Sequence, residues 1–202
     1  ERAGVDREEL LVATKVGHFE EPEKTPEYVR DAVRRSFELL GVDRIDLLYH
    51  HWPRSQREIT EVLPVIEEFV AEGSVDHLGV SNYRLDDLEL ARDLLEIPVA
   101  ANQVEMHPLL PQTELREYLA GTGTALVAYS PIAQGEVFDV PEIERVADAH
   151  DTSEATVSLA WALEKGVVPI PRTSDPGHAR TNFRALELEF DDGEIELIDG
   201  ID

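Results

Sequence analysis

Residues 45–53 read IDLLYHHWP, an apolar run that ends on two histidines, a tryptophan and a proline. Side chains alternate along a strand, so Tyr49 and His51 are expected on one face. His50 and Trp52 are expected on the other. A strand that is apolar at its start and polar at its end is typical of the active face of a parallel α/β fold. For His51, a buried structural role and a functional role are both open at this point.

The composition is that of a soluble globular protein. The 202 residues are 42% hydrophobic, enough for a substantial core, and a single domain over 1–202 is expected. No apolar run approaches the roughly 20 residues that span a bilayer. The chain has no cysteine, and its first residues lack the apolar core of a signal peptide. We therefore expect a cytoplasmic protein without a membrane partner.

The chain is strongly acidic. It has 43 acidic residues against 18 lysines and arginines, which gives a net charge of -25. This balance argues against nucleic acid as a partner, because nucleic-acid-binding proteins present basic surfaces. Acidic groups on a folded chain repel one another most at low ionic strength. We hypothesise a halophilic, salt-adapted protein, and a melting temperature that does not rise between low and molar salt would count against this hypothesis.

Strand and helix patterns alternate along the chain. Strands are predicted at 10–16, 45–52, 75–82, 99–106, 125–130 and 167–170, the first of them buried. Helices are predicted at 26–40, 59–72, 85–95, 114–119, 151–165, 176–186 and 194–201. The first helix is marked by Thr25 as N-cap, by Pro26 and by Gly41 at its end. The helix at 176–186 is interpreted as a core helix and the one at 194–201 as an appended C-terminal helix.

Six βα units in succession predict an α/β fold, either a (β/α)8 TIM barrel or a doubly wound sheet. No G-x-G-x-x-G sequence follows a predicted strand, which argues against a Rossmann fold. A closed barrel needs eight units and typically about 250 residues, so about six of the eight are present. Because the chain starts without Met just ahead of a strand, we expect that two N-terminal units have been lost by truncation, proteolysis or incomplete annotation.

Six segments of the chain occur in an order and at a spacing that resemble the aldo-keto reductase family. They are ELLVATKV at 9–16, IDLLYHHWP at 45–53, GVSNY at 79–83, NQVEMHPLLPQ at 102–112, AYSPIAQG at 128–135 and VVPIPRTSDPGHARTNF at 167–183. The set is specific and covers essentially the whole chain. The resemblance implies a TIM barrel that binds NADPH across its C-terminal face without a Rossmann motif and reduces small aldehydes and ketones.

The resemblance also implies half of a catalytic tetrad. Carbonyl reduction needs a hydride on carbon and a proton on oxygen. In the family a tyrosine gives the proton, a lysine paired with an aspartate lowers its pKa, and a histidine orients the carbonyl. Lys15 matches the lysine and His51 the histidine, while the tyrosine and aspartate belong to the first two units. Tyr49 is interpreted as core, Trp52 as lining the substrate pocket or the core, and Lys15 has the alternative of a snorkelling strand-end lysine.

Cofactor contacts are implied at three places. Residues that match contacts to the nicotinamide are Ser81, Asn82, Gln103 and Tyr129. Residues that match the loop over the pyrophosphate are Ser130, Ile132 and Gln134. Capping, solvation and core packing are the structural alternatives for the first group.

The adenosine end is matched by Arg172 and Thr173 for the 2′-phosphate and by Asn182 for adenine. The backbone amides at the start of the helix at 176–186 would add to an anion site. His178 replaces the arginine that is usual in the family, which removes a permanent charge at neutral pH. We therefore expect NADP, and NAD as well, with weak discrimination between the two.

Three functions follow as hypotheses. The first is an NAD(P)H-dependent carbonyl reductase that acts as a monomer, with little activity in these 202 residues. The second is a non-catalytic dinucleotide-binding subunit or sensor. The third is a metal-dependent hydrolase that uses His51, His107 and Glu105. It is disfavoured because His107 precedes Pro108 in a loop-like context and no H-x-H or cysteine cluster is present, so no metal is expected.

Overall fold

The structure is a computed structural model that describes residues 4–18 and 24–201. The strands are β1 (Ala13–Val16), β2 (Ile45–His50), β3 (Val75–Ser81), β4 (Ala101–Glu105), β5 (Ala125–Tyr129) and β6 (Val168–Pro169). The helices are α1 (Pro26–Leu40), α2 (Gln56–Ala71), α3 (Leu85–Leu94), α4 (Thr113–Leu119), α5 (Pro141–Ala149), α6 (Glu154–Glu164), α7 (Pro176–Phe183) and α8 (Asp192–Asp199). Strands and helices alternate from β1 to β5, as predicted, and two helices follow each of β5 and β6.

The chain divides into two compact units, Glu1–Asn102 and Gln103–Asp202. In the first unit β1 pairs in parallel with β2, and β2 pairs in parallel with β3. In the second unit β5 pairs in parallel with β6. Parallel pairing with helices between the strands is the pattern of an α/β fold. The expectation of one domain over 1–202 stays a prediction.

Helix α1 begins and ends where its capping residues predict. The side chain of Thr25 accepts a hydrogen bond from the backbone amide of Tyr28, and Pro26 occupies the first helical position. Gly41 ends the helix with φ of 64°, in the left-handed region that glycine adopts without strain. Val29 and Val33 are fully buried, so one face of α1 packs on the core.

Strand β2 is buried on both faces. Ile45 and Leu48 are 0% exposed, and Tyr49 is 2% exposed, as its interpretation as a core residue requires. The register aligns Tyr49 with Gly79 of β3. A Cβ atom on Gly79 would lie 2.6 Å from Cδ1 of Tyr49, well inside van der Waals contact. Gly79 is therefore needed because the Tyr49 ring lies directly against the backbone of β3.

Gly79→Ala is expected to lower the free energy of unfolding by about 1–3 kcal/mol, because the Tyr49 ring is buried and cannot move away without disturbing the core. Chemical denaturation measures the change. Gly121→Ala is the matched control, since a Cβ atom there would meet nothing within 4 Å. Equal stability of the two variants would show that the ring shifts freely.

The strand predicted at 10–16 is shorter and more exposed than expected, so its interpretation as buried is wrong. β1 has four residues, of which only Val16 is buried. Leu11, which precedes it, is 70% exposed. Within the described residues β1 pairs with β2 alone, so it is an edge strand and fewer neighbouring side chains cover its faces.

The helix predicted at 176–186 is not a core helix. α7 ends at Phe183, a 3-10 turn follows over Arg184–Leu186, and no residue of α7 is buried. Phe183 and Leu186 are 73% and 65% exposed. The sequence PGHARTNF has too few apolar side chains to form the continuous stripe that buries a helix.

Helix α5 was not predicted, although its sequence carries the signal. Pro141 occupies its first position, and Ile143, Val146 and Ala147 are buried. Apolar residues three and four positions apart are the pattern of an amphipathic helix. None of the helices in the described ranges has the length and apolarity that crossing a bilayer requires.

Candidate active site

The first unit brings Lys15 and His51 to the same end of two neighbouring strands. β1 and β2 are parallel and pair side by side, with Lys15 opposite Tyr49. The backbone amide of His51 donates to the carbonyl of Val16 at 2.8 Å. The charge of Lys15 contributes to the pKa of His51, which places the two side chains within electrostatic reach. The two residues that the sequence assigned to catalysis are therefore neighbours.

Lys15 is partly buried over an aromatic ring. Burial lowers the pKa of its ammonium group below the usual value. Its Nζ atom lies 5.7 Å from the centroid of the Tyr49 ring, within the range of a cation–π interaction. None of the ion pairs between described residues involves Lys15. Lys15 thus places its amino group over the Tyr49 ring near the end of β1.

His51 is neutral at pH 7. Its pKa is lowered to about 4, first by burial and then by the positive charge of Lys15. The ring centroid lies 4.9 Å from that of His18, a neighbour that the sequence analysis did not identify. A neutral imidazole carries one N–H donor. His51 can therefore donate a hydrogen bond to a carbonyl oxygen without giving up a proton.

Ser81 and Asn82 lie at the end of β3, next to the His51 backbone. Asn82 has φ of 62°, in the left-handed region that asparagine tolerates better than most residues. Its Nδ2 atom donates to the carbonyl of His51 and to the hydroxyl of Ser81, each at 3.2 Å. Asn82 thus helps to fix the backbone of His51, a role that the sequence analysis did not assign.

Trp52 follows His51 and is 37% exposed. Of the two interpretations left open for it, a fully buried core residue does not fit this exposure. Its carbonyl accepts a hydrogen bond from Nζ of Lys24 at 3.4 Å. Trp52 is therefore an anchored, partly exposed aromatic residue next to the candidate catalytic histidine.

In the second unit, Gln103 and Tyr129 lie on strands β4 and β5. Gln103 is 5% exposed, and Tyr129 is partly buried. The backbone amide of Met106 donates to the carbonyl of Tyr129 at 3.3 Å, so the ends of the two strands lie side by side. Burial and the nearby Glu105 raise the pKa of Tyr129. The hydroxyl is thus a neutral group on a ring of suitable size for stacking.

The loop after β5 is held in strained backbone. Ser130, Ala133 and Gln134 all have φ between 47° and 53°, which is rare outside glycine. The hydroxyl of Ser158 on α6 donates to the carbonyl of Pro131 at 2.6 Å and ties the loop to the helix. Strain of this kind persists where the surroundings impose it, and it clusters at ligand sites. The loop assigned to the pyrophosphate thus has a strained backbone that Ser158 helps to hold.

The residues assigned to the adenosine end lie at the surface of the second unit. Arg172, Thr173 and His178 are exposed, while Asn182 is partly buried. Thr173 and Asn182 line a largely apolar cavity of about 400 Å³. Its other walls include Leu159, Leu163, Ala179 and Phe183. A volume in this range is typical of a small-molecule site.

One part of the expected anion site needs correction. The carboxylate of Asp175 accepts hydrogen bonds from the backbone amides of Gly177 at 2.6 Å and His178 at 3.0 Å. These hydrogen bonds lower the pKa of Asp175, which keeps it charged. Two amides that the sequence analysis offered to a phosphate are thus already used by a negative group. The hydroxyl of Thr173 accepts a hydrogen bond from the backbone amide of Asp175 at 3.0 Å, so it belongs to the same turn.

A buried polar network in the first unit was missed by the sequence analysis. Nδ1 of His50 lies 2.7 Å from the hydroxyl of Tyr83, and its Nε2 lies 3.3 Å from Oε1 of Glu58. Glu58 also accepts from Nζ of Lys24 at 2.7 Å. His50, Tyr83 and Lys24 are at most 1% exposed. The only prior signal was that His50 would face away from His51 on the strand.

The pKa values of this network follow from burial and charge. Burial raises the pKa of Tyr83 well above its usual value and lowers that of His50, against the effect of Glu58. Burial also acts to raise the pKa of Glu58, but hydrogen bonds from His50, Lys24 and Arg54 outweigh it and lower the pKa to about 2. Glu58 is therefore an anion at pH 7.

The hypothesis of a metal-dependent hydrolase gains no support from the structure. Oε1 of Glu105 lies 3.9 Å from Nε2 of His107. Across residues 4–18 and 24–201, however, no three side chains of His, Cys, Asp or Glu come together as a metal site would require.

Comparisons with known proteins identify the family. A sequence profile described as the Aldo/keto reductase family matches residues 1–202. The chain is 34% identical over 199 residues to a glyoxal reductase of Bacillus subtilis (strain 168), which is 98% of this chain and 71% of that protein.

Solved structures confirm the predicted fold. An aldo-keto reductase enzyme, MGS-M4, from a Medee basin deep-sea metagenome library matches with a TM-score of 0.93 and 26% identity, over 98% of this chain and 73% of that chain. A variant of Gox0644 in complex with NADPH matches with a TM-score of 0.89 and 27% identity, over 96% of this chain and 71% of that chain. The fold is thus an α/β barrel of the TIM type, to which this chain contributes six parallel strands, and the chain belongs to the aldo/keto reductase family.

Proposed function

We propose that the protein is an NAD(P)H-dependent oxidoreductase that reduces aldehydes or ketones to alcohols. The observation that carries the proposal is the pairing of a neutral His51 with a partly buried Lys15 at the ends of β1 and β2. When bound, the cofactor would supply the hydride for the carbonyl carbon, and the oxygen would take its proton from water. The N–H group of His51 donates to the carbonyl oxygen and orients it, and the positive charge of Lys15 favours the negative charge that develops there.

The cofactor is proposed to be NADP, with NAD accepted as well. Ser81 and Asn82 carry a hydroxyl and an amide, and Gln103 carries a further amide, groups of the type that hydrogen-bond a carboxamide. Tyr129 offers a ring for stacking, and the strained loop at 130–135 offers a fixed backbone near a phosphate. Arg172 and Thr173 provide a guanidinium and a hydroxyl for the 2′-phosphate.

Small aldehydes are the proposed substrate class, since one relative is named a glyoxal reductase. Trp52 is proposed to line the substrate pocket, because it is anchored next to His51 and remains 37% exposed. We further propose a monomer of one domain that works in the cytoplasm and is adapted to salt. Sedimentation at low and molar salt tests the oligomeric state.

The second candidate is a non-catalytic dinucleotide-binding subunit or sensor. One observation favours it: Tyr49, which lies against Lys15, is 2% exposed and belongs to the core. A buried hydroxyl is poorly placed to deliver a proton to a substrate. In this second function the protein would bind the cofactor through the same residues but would not catalyse carbonyl reduction.

Titration with NADPH tests what both candidates share. Saturable binding, followed by the fluorescence of the reduced nicotinamide, is expected for the 202-residue protein. Tyr129→Ala is expected to weaken binding, because it removes a stacking surface, whereas Tyr118→Ala on α4 is not. A protein that is folded by circular dichroism and does not bind NADPH would contradict both candidates.

His178→Arg is expected to raise the affinity for NADPH relative to NADH by about ten- to hundredfold, the equivalent of a charge-assisted hydrogen bond of about 1.5–3 kcal/mol. The reason is that arginine restores a permanent positive charge beside the proposed phosphate position. His77→Arg on β3 adds the same charge to another exposed histidine and serves as the control. If both variants change the ratio equally, net charge and not contact is responsible.

A further inference from the structure

Glu58 binds both ends of a short segment that carries two residues of the proposed site. It lies in the first turn of α2, where the hydroxyl of Ser55 caps its backbone amide. Its Oε1 atom lies 3.3 Å from Nε2 of His50, and its Oε2 atom accepts from Nε of Arg54 at 2.8 Å. Residues 51–53 lie between these two attachments. One carboxylate thus spans the segment that includes His51 and Trp52.

Lys24 attaches the middle of the same segment. Its Nζ atom donates to Oε1 of Glu58 at 2.7 Å and to the carbonyl of Trp52 at 3.4 Å. Lys24 is 1% exposed, and a buried ammonium group depends on its anionic partner. Loss of the Glu58 charge would therefore also disturb the donor that holds the Trp52 carbonyl.

The side chains of His50 and Lys24 pack tightly against the backbone at Gly17. Gly17 has φ of 82°, and a Cβ atom there would lie 3.0 Å from Cδ2 of His50 and 3.1 Å from Cδ of Lys24. These side chains therefore have little freedom to rearrange around a missing partner. Because His50 and Lys24 are at most 1% exposed, they have no access to a bound ligand.

We propose that Glu58 is a positioning residue that, through His50, Lys24 and Arg54, fixes the segment carrying His51 and Trp52 in the orientation that carbonyl reduction needs. The inference rests on the proposed function for its purpose. The structural part of the inference, that Glu58 immobilises Trp52, does not depend on the proposed function and is tested first.

Acrylamide quenching of tryptophan fluorescence reports on this segment directly. Trp161 is 0% exposed, so the quenchable signal comes from Trp52, which is 37% exposed. Glu58→Gln keeps the shape of the side chain and removes its charge. The quenching constant is expected to rise about two- to threefold, toward that of a freely exposed ring. Glu61→Gln, one turn further along α2, is the control and is expected to leave it unchanged.

A second variant separates positioning from general destabilisation. Lys24→Met combined with Glu58→Gln leaves no unpaired buried charge, so the melting temperature is expected to recover toward that of the parent. The donor to the Trp52 carbonyl remains absent, so quenching is expected to stay high. Quenching that returns to the parent value in the double variant, or that never rises in Glu58→Gln, would overturn the inference.

The same samples distinguish this inference from the proposed function. If quenching behaves as expected and the parent binds no NADPH, the positioning of Trp52 by Glu58 is supported while the proposed function fails. If the parent binds NADPH and quenching is unchanged in Glu58→Gln, the proposed function is supported and the inference is overturned.

Discussion

Glu58→Ala is expected to lower the free energy of unfolding by about 3–5 kcal/mol at pH 7, the range seen when one partner of a buried ion pair is removed. The variant leaves Lys24 buried without its carboxylate and removes a hydrogen-bond partner from His50. Both groups are inside the protein, so water cannot replace the lost partner without local opening. Urea denaturation of the parent and the variant measures the difference.

Glu61→Ala is the matched control on the same helix. Glu61 forms an ion pair with Arg57, whose side chain is 75% exposed, and exposed pairs contribute about 0–1 kcal/mol. A loss for Glu58→Ala no larger than that for Glu61→Ala would contradict the description of the network as tightly packed.

The stability loss of Glu58→Ala is expected to depend on pH. The pKa of Glu58 is lowered from 4.5 to about 2 in the folded protein. A lowered pKa stabilises the folded state at pH values above the ordinary pKa, and this contribution is lost as the pH falls toward the folded value. The stability difference between parent and Glu58→Ala is therefore expected to be constant from pH 7 to about 5 and to shrink below about 4.5.

The 202-residue protein is expected to reduce glyoxal about 10²–10⁴-fold more slowly than the glyoxal reductase of Bacillus subtilis, the usual contribution of a positioned general acid. The reason is that the hydroxyl of Tyr49 lies in the core and the hydroxyl of Tyr83 is engaged with His50. Neither hydroxyl is then placed to act as the acid, and we expect the proton to come from water. Steady-state oxidation of NADPH in the presence of glyoxal compares the two proteins.

Tyr49→Phe supplies the control for this prediction. If Tyr49 has no chemical role, its removal is expected to leave the slow rate unchanged. Turnover near that of the relative, abolished by Tyr49→Phe, would show that Tyr49 replaces the missing acid and that its interpretation as core is incomplete.

Local sequence signals predicted much of the fold. Thr25, Pro26 and Gly41 fixed the limits of α1, because capping depends on residues next to each other in the chain. The apolar run before His51 identified β2 for a similar reason. Lys15 and His51 were recognised from the motifs around them, and their approach follows from the parallel pairing of consecutive strands.

Contacts between distant residues could not be predicted in the same way. Glu58 is 34 positions from Lys24, and the sequence around neither residue predicts a buried ion pair. The positive φ angles of Ser130 and Ala133 could not be predicted either, because serine and alanine usually have negative φ. The sequence identified Asp175 as a helix cap. That its carboxylate occupies the two amides expected to bind a phosphate is seen only in the structure.

Transfer of deuterium from 4-deuterated NADPH to glyoxal is the most direct test of the proposed reductase site. Mass spectrometry of the alcohol product detects a reaction too slow for steady-state assays. We predict that the 202-residue protein transfers the label above the rate without protein, and that His51→Phe lowers this transfer by about tenfold or more through loss of the orienting hydrogen bond. A protein that binds NADPH and transfers no label, or transfers it equally well without His51, would contradict the account and favour the non-catalytic candidate.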